Sequence, residues 1–98
     1  MEELIQQIKQ MSALEKKTLE QMGLKLSEEA GEVSQAILSH VKASGNAYKE
    51  LGLDEVKEEC VDVMLIAFAL FFTLSQSEEE LKGLIGKKMK KWKEKANA

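Results

Sequence analysis

One stretch restricts the fold of this chain more than any other. From Cys60 to Leu74 the sequence reads CVDVMLIAFALFFTL, apolar on all sides of the helix it would form. Its uninterrupted apolar part, Val63–Leu74, has twelve residues, short of the roughly 20 that span a bilayer. It is therefore predicted to be a helix enclosed by protein. A helix that is apolar all round needs cover all round, and 98 residues supply one small domain with little interior. A second copy of the chain is the simpler cover. A homodimer or homotetramer is expected, with this helix in or beside the interface.

The remaining pattern is helical as well. The chain has no proline and six glycines, which argues against a turn-rich β-sandwich and for long helices. A first helix is predicted from Glu2 to Met22, with Ser12 marking any break. A second runs from Leu24 to Ala43, where Leu26, Ala30, Val33, Ile37 and Val41 form an apolar stripe, and it stops at Ser44-Gly45-Asn46. A third starts at Asp54 as N-cap and ends near Leu74. A fourth opens on the capping-box pattern Ser77-Glu78-Glu79-Glu80 and continues to about Lys95. Residues 44–53 are expected to be a short loop with room for a helical turn. The expected fold is all-α, a four-to-five-helix bundle of one domain completed by oligomerisation. The opening MEELIQQIKQ lacks a signal peptide's basic start and apolar run, so a cytoplasmic location without membrane association is expected.

Charge is divided along the chain. Seventeen acids face fourteen basic residues, all lysine, for a net −3. From Lys82 onward seven lysines and one acid give +6, leaving −9 on residues 1–81. The basic end suits an anionic partner or a solvated helix face.

Two acidic pairs stand out within the helices, Glu29 with Glu32 and Glu59 with Asp62, each at i, i+3. Like charges so placed repel. At about 100° per residue, Glu29 falls within the arc of Leu26, Val33 and Ile37, and Glu59 within that of Val56, Val63 and Leu70. If the two helices pack antiparallel by these faces, four carboxylates converge. Such a cluster repels unless a cation binds, and an all-oxygen set suits Mg²⁺ or Mn²⁺. The alternative is two acidic helix stretches facing solvent. A di-iron carboxylate centre would need Glu-x-x-His motifs, which are absent: His40 is the single histidine, eight residues beyond Glu32.

The segments Lys25-Leu26-Ser27-Glu28-Glu29-Ala30-Gly31-Glu32-Val33 and Glu58-Glu59-Cys60-Val61-Asp62-Val63, with 26 residues between Glu32 and Glu59, resemble the ExxE…ExxD signature of the MazG-type nucleoside triphosphate pyrophosphohydrolases, in the all-α NTP pyrophosphatase superfamily. The resemblance extends over roughly Leu24 to Lys95. It implies an enzyme that cleaves a (deoxy)nucleoside triphosphate between the α- and β-phosphates, in house-cleaning or nucleotide-pool control. It also implies Glu29, Glu32, Glu59 and Asp62 as Mg²⁺ ligands. Glu29 and Glu32 are the first candidates for orienting or deprotonating the attacking water; Glu28 and Glu58 are expected to face solvent or support the ligands.

The last helix resembles the family's basic end, where Lys, Asn and Arg are common. Lys88 matches the first of these, but Trp92 stands in place of the Asn and Lys95 in place of the Arg. Lys88, Lys91 and Lys95 are candidate phosphate contacts, against the reading of plain solvated lysines. Trp92 is a candidate for stacking on a base, or a core or interface anchor at helical spacing from Leu84, Ile85 and Met89. His40 is a candidate contact to base or ribose, or a satisfied half-buried histidine. Cys60 is expected to be buried, and Gly31 to permit close helix approach. The competing function is a non-enzymatic helical dimerisation module that binds nucleic acid or a protein through its lysines. The absence of arginine and of a DNA-binding turn counts against nucleic acid.

Overall fold

In a computed structural model describing residues 1–42 and 49–98, the chain forms α1 (Glu2–Ser12), α2 (Leu19–Lys42), α3 (Lys49–Leu74) and α4 (Glu78–Ala96), with no strand among the described residues. The fold is all-α, as expected. No helix is long and apolar enough to cross a membrane among the described residues. The expected stop at Ser44-Gly45-Asn46 lies outside them.

Three helix boundaries differ from expectation: the end of α1 and the starts of α2 and α3. Glu2 to Met22 is not one helix. The Ser12 hydroxyl donates to the Lys9 carbonyl at 2.6 Å, drawing that carbonyl toward a side-chain partner at the helix end. The Glu15 carboxylate then accepts from the backbone N–H groups of Lys16 and Lys17, both at 2.9 Å. The Lys17 N–H bond first, then the charge of Lys17 and the Lys16 N–H bond, hold its pKa below the usual carboxylate value. Helix α2 restarts through a reciprocal capping box: Gln21 N–H donates to Thr18 Oγ1 at 3.1 Å, and Thr18 N–H donates to Gln21 Oε1 at 2.9 Å. Its signature, Thr-x-x-Gln, is plain in the sequence. The third helix begins at Lys49, so Asp54 is not its N-cap; Asp54 is exposed inside α3, 4.0 Å from Lys57. At Ser77 the expected cap is present, its Oγ accepting from Glu80 N–H at 3.0 Å.

Helices α2 and α3 form an antiparallel pair. His40 at the end of α2 meets Gly52 near the start of α3, and Met22 Sδ accepts from the Thr73 hydroxyl at 3.6 Å at the other end. Along α2 the buried or half-buried residues include Met22, Leu26, Glu29, Val33, Ala36 and His40. Along α3 they include Gly52, Val56, Glu59, Val63, Ile66 and Leu70. Both series alternate steps of four and three, the seam of a coiled-coil-like pair. The α2 stripe expected through Ala30, Ile37 and Val41 is therefore displaced: those three residues are exposed. The expected stripe has helical spacing too, but spacing alone does not decide which side of α2 its partner covers, and the seam lies on the adjoining side. Gly52 is where the backbones come close, since a Cβ there would lie 3.0 Å from His40 Nδ1. At Gly31 an added Cβ would meet nothing within 4 Å, so close approach is not its role.

Helix α1 packs on α3. The fully buried apolar side chains are few among the described residues: Met22, Ala36, Phe72 and Leu81. Helix α4 joins the body only at its start, where Leu81 is buried and Glu78 and Lys82 pair with Lys9 at 3.7 Å and Glu2 at 3.1 Å. Every residue from Lys82 to Ala98 is exposed.

Candidate metal centre

The α2–α3 seam carries one glutamate from each helix, and they meet. Glu29 is 7% exposed and Glu59 is half-buried. Carboxylate oxygens of Glu29, Glu59 and Asp62 lie within 4.8 Å of one another, as do those of Glu28, Glu29 and Glu32. Hydrogen bonding and charge link Glu32 to both Glu29 and Glu59. The four carboxylates expected to converge are thus brought together, with Glu29 at their centre. Asp62 is exposed, so the cluster opens to solvent on its side. Glu58 is exposed. Glu28, also exposed, joins the edge of the cluster beside Lys25 at 3.7 Å.

Lys25 has no place among the expected site residues. Its ammonium lies 3.0 Å from Glu29 Oε1, and hydrogen bonding to Glu29 with the charges of Glu28 and Glu29 raises its pKa. The i, i+4 spacing of Lys25 and Glu29 is the signal that marks it. One lysine against this many carboxylates leaves the cluster short of positive charge. The shortage is visible atom by atom: Glu29 Oε2 and Glu59 Oε2 are both buried without a hydrogen-bond donor. A buried carboxylate oxygen without a donor is costly. A hard divalent cation with oxygen ligands supplies what these atoms lack, so the donor set fits Mg²⁺ or Mn²⁺.

The repulsion also appears in proton affinity. Hydrogen bonding to Glu29, the charge of Glu29 and then the influence of Glu59 push the Glu32 carboxyl up to about 7. In the unfolded chain the same group releases its proton near 4.5. Between those values the folded state binds more protons, so stability is present below 4.5 and is lost as pH rises through about 7. In EDTA, Tm is expected to fall between pH 5 and pH 8. Saturating Mg²⁺ is expected to cancel that fall, because ligation needs the deprotonated carboxylates. A Tm that is flat or rising across this window in EDTA counts against the cluster as described.

The remaining candidates are not at the cluster. Lys88, Lys91, Lys95 and Trp92 all lie on the exposed length of α4, and Trp92 is 68% exposed, so it is no core anchor within one chain. His40 is half-buried at the far end of the seam, and its Nδ1 is buried without a partner rather than satisfied. Cys60 is exposed, one position past the seam, and not buried as expected. Neither a family model, nor a curated protein, nor a solved structure matches this chain.

Proposed function

We propose that this chain is a Mg²⁺- or Mn²⁺-dependent hydrolase of (deoxy)nucleoside triphosphates that yields the monophosphate and pyrophosphate. The observation that carries the reading is the pair of orphaned oxygens, Glu29 Oε2 and Glu59 Oε2, buried in a four-acid cluster on two packed helices. The ExxE…ExxD pattern, which resembles MazG-type enzymes, supplies the substrate class. Glu29, Glu32, Glu59 and Asp62 would hold the metal. When bound, it neutralises phosphate oxygens and makes water a better nucleophile. Glu29 and Glu32 are the candidates to accept the proton of the attacking water. That water adds across the α–β anhydride bond, and pyrophosphate leaves. Lys25 holds Glu29 in place through its Oε1. The enzyme acts as a homo-oligomer in the cytoplasm, in nucleotide house-cleaning or pool control, with Lys88, Lys91 and Lys95 as its phosphate contacts.

A second reading has its own observation, the full exposure of the α4 lysines. In that reading the chain is a helical dimerisation module that docks an anionic partner. One experiment separates the two. A panel of ordinary and damaged triphosphates, with Mg²⁺ and with Mn²⁺, is expected to give pyrophosphate from at least one member. If no member is turned over with either metal, the enzymatic reading fails and the module remains.

A further inference from the structure

Two apolar surfaces of this chain are left open, and their shapes correspond. The first is a groove between α1 and α3, walled by Leu4, Ile8 and Met11 on one side and Val61, Leu65 and Ala69 on the other, around a cavity of about 620 Å³. The α1 wall steps by four and three and the α3 wall by four and four, each along one helix face. The second is a ridge on α4, where Ile85, Met89 and Trp92 follow the buried Leu81 in steps of four, four and three. A ridge of that spacing is what a groove between two helices accepts. The chain's own α4 does not fill the groove, since its residues beyond Leu81 are all exposed.

The amount of exposed surface indicates the size of the missing cover. The accessible surface is 7676 Å², whereas a folded monomer of this mass exposes about 5,600 Å². The excess, roughly 2,000 Å², exceeds the ~800 Å² per partner that a stable interface buries. The radius of gyration is 16.3 Å, against about 12.5 Å for a compact chain of this length. The arm from Lys82 carries +6 and the rest of the chain −9, an attraction between copies at long range that the groove's own charged lining, Glu15, Lys17 and Lys25, does not add to.

We propose that α4 of each copy lies in the α1–α3 groove of a second copy, reciprocally, giving a closed two-fold dimer. This deepens the oligomeric part of the reading above and does not depend on the metal chemistry. It also completes the candidate centre. Val61, beside Asp62, lines the groove, and so does Lys25, which holds Glu29. The arm therefore delivers the lysines of one copy to the side of the other that carries the carboxylates.

Trp92 is the chain's single tryptophan and reports directly on the arm. The full-length protein is followed from nanomolar to 100 µM by sedimentation velocity and tryptophan emission. A dimer is expected at micromolar concentration with blue-shifted emission, and dilution is expected to shift the emission red in step with dissociation. Ile85→Glu on the arm and Leu65→Glu in the groove are each expected to weaken association roughly 30-fold or more, with helical circular dichroism retained. A monomer at 100 µM overturns both the arm and the oligomeric reading, whatever its emission. An oligomer with water-exposed indole emission, or one indifferent to both variants, overturns the arm alone.

Discussion

Glu59→Gln is expected to stabilise the metal-free protein while slowing triphosphate hydrolysis by at least ~100-fold. The two effects have one cause. Glutamine keeps the shape of Glu59 but removes a negative charge beside Glu29 and Glu32 and brings an amide donor to the buried oxygens. Relief of like-charge repulsion with one added hydrogen bond contributes about 1 kcal/mol, or a Tm rise of roughly 4–8 °C for a domain of this size. Groups that merely support metal ligands cost 10–100-fold when removed, so loss of a ligand lies at or beyond the upper end. Mg²⁺ should then no longer raise Tm. Thermal melts in EDTA and in Mg²⁺, together with pyrophosphate release, check all three effects. A variant that melts earlier than the parent and still responds fully to Mg²⁺ would falsify the assignment of Glu59 as a ligand.

Phe72→Ala is expected to cost about 3–5 kcal/mol, a large part of the 5–15 kcal/mol by which domains of this kind are stable. Phe72 is 0% exposed, and its ring meets that of Phe71 edge to face at 5.7 Å. With so few fully buried apolar residues beside it, there is little material to collapse into the space left behind. Urea unfolding of the full chain measures the loss. A cost below about 1 kcal/mol would mean that the stabilising core lies elsewhere.

The centre was legible where the signal was local. Glu29, Glu32, Glu59 and Asp62 could be placed from i, i+3 spacing inside apolar arcs, because helical geometry alone decides which residues share a face. Lys25 and the Thr18 cap were equally local and were marked by spacings of four and three. The displacement of the α2 stripe was less accessible. Ile37 and Val41 look like core residues until α3 fixes which side of α2 is covered, and the seam then runs through Ala36 and His40 instead. The start of α3 depends likewise on tertiary contact, since Gly52 is held in helix where it meets His40. The course of α4 was not legible at all. Its Leu81, Ile85, Met89 and Trp92 pattern shows that one face needs cover, but an amphipathic pattern carries no label for the chain that provides it.

The position of Glu29 and Glu59 halfway along the seam has a consequence for folding. A heptad seam permits sliding, since each shift of seven residues restores similar packing. Here such a slide is penalised. Moving α3 by seven residues in one direction sets Glu29 against Ile66 and Ala69 in place of Glu59 and Asp62, stranding a carboxylate among hydrocarbon. Only the observed alignment gathers the acids at one place, with Lys25 alongside and Asp62 open to water. The residues that make this pair of helices least comfortable are therefore also its registration mark: they penalise misaligned hairpins while the chain is still assembling.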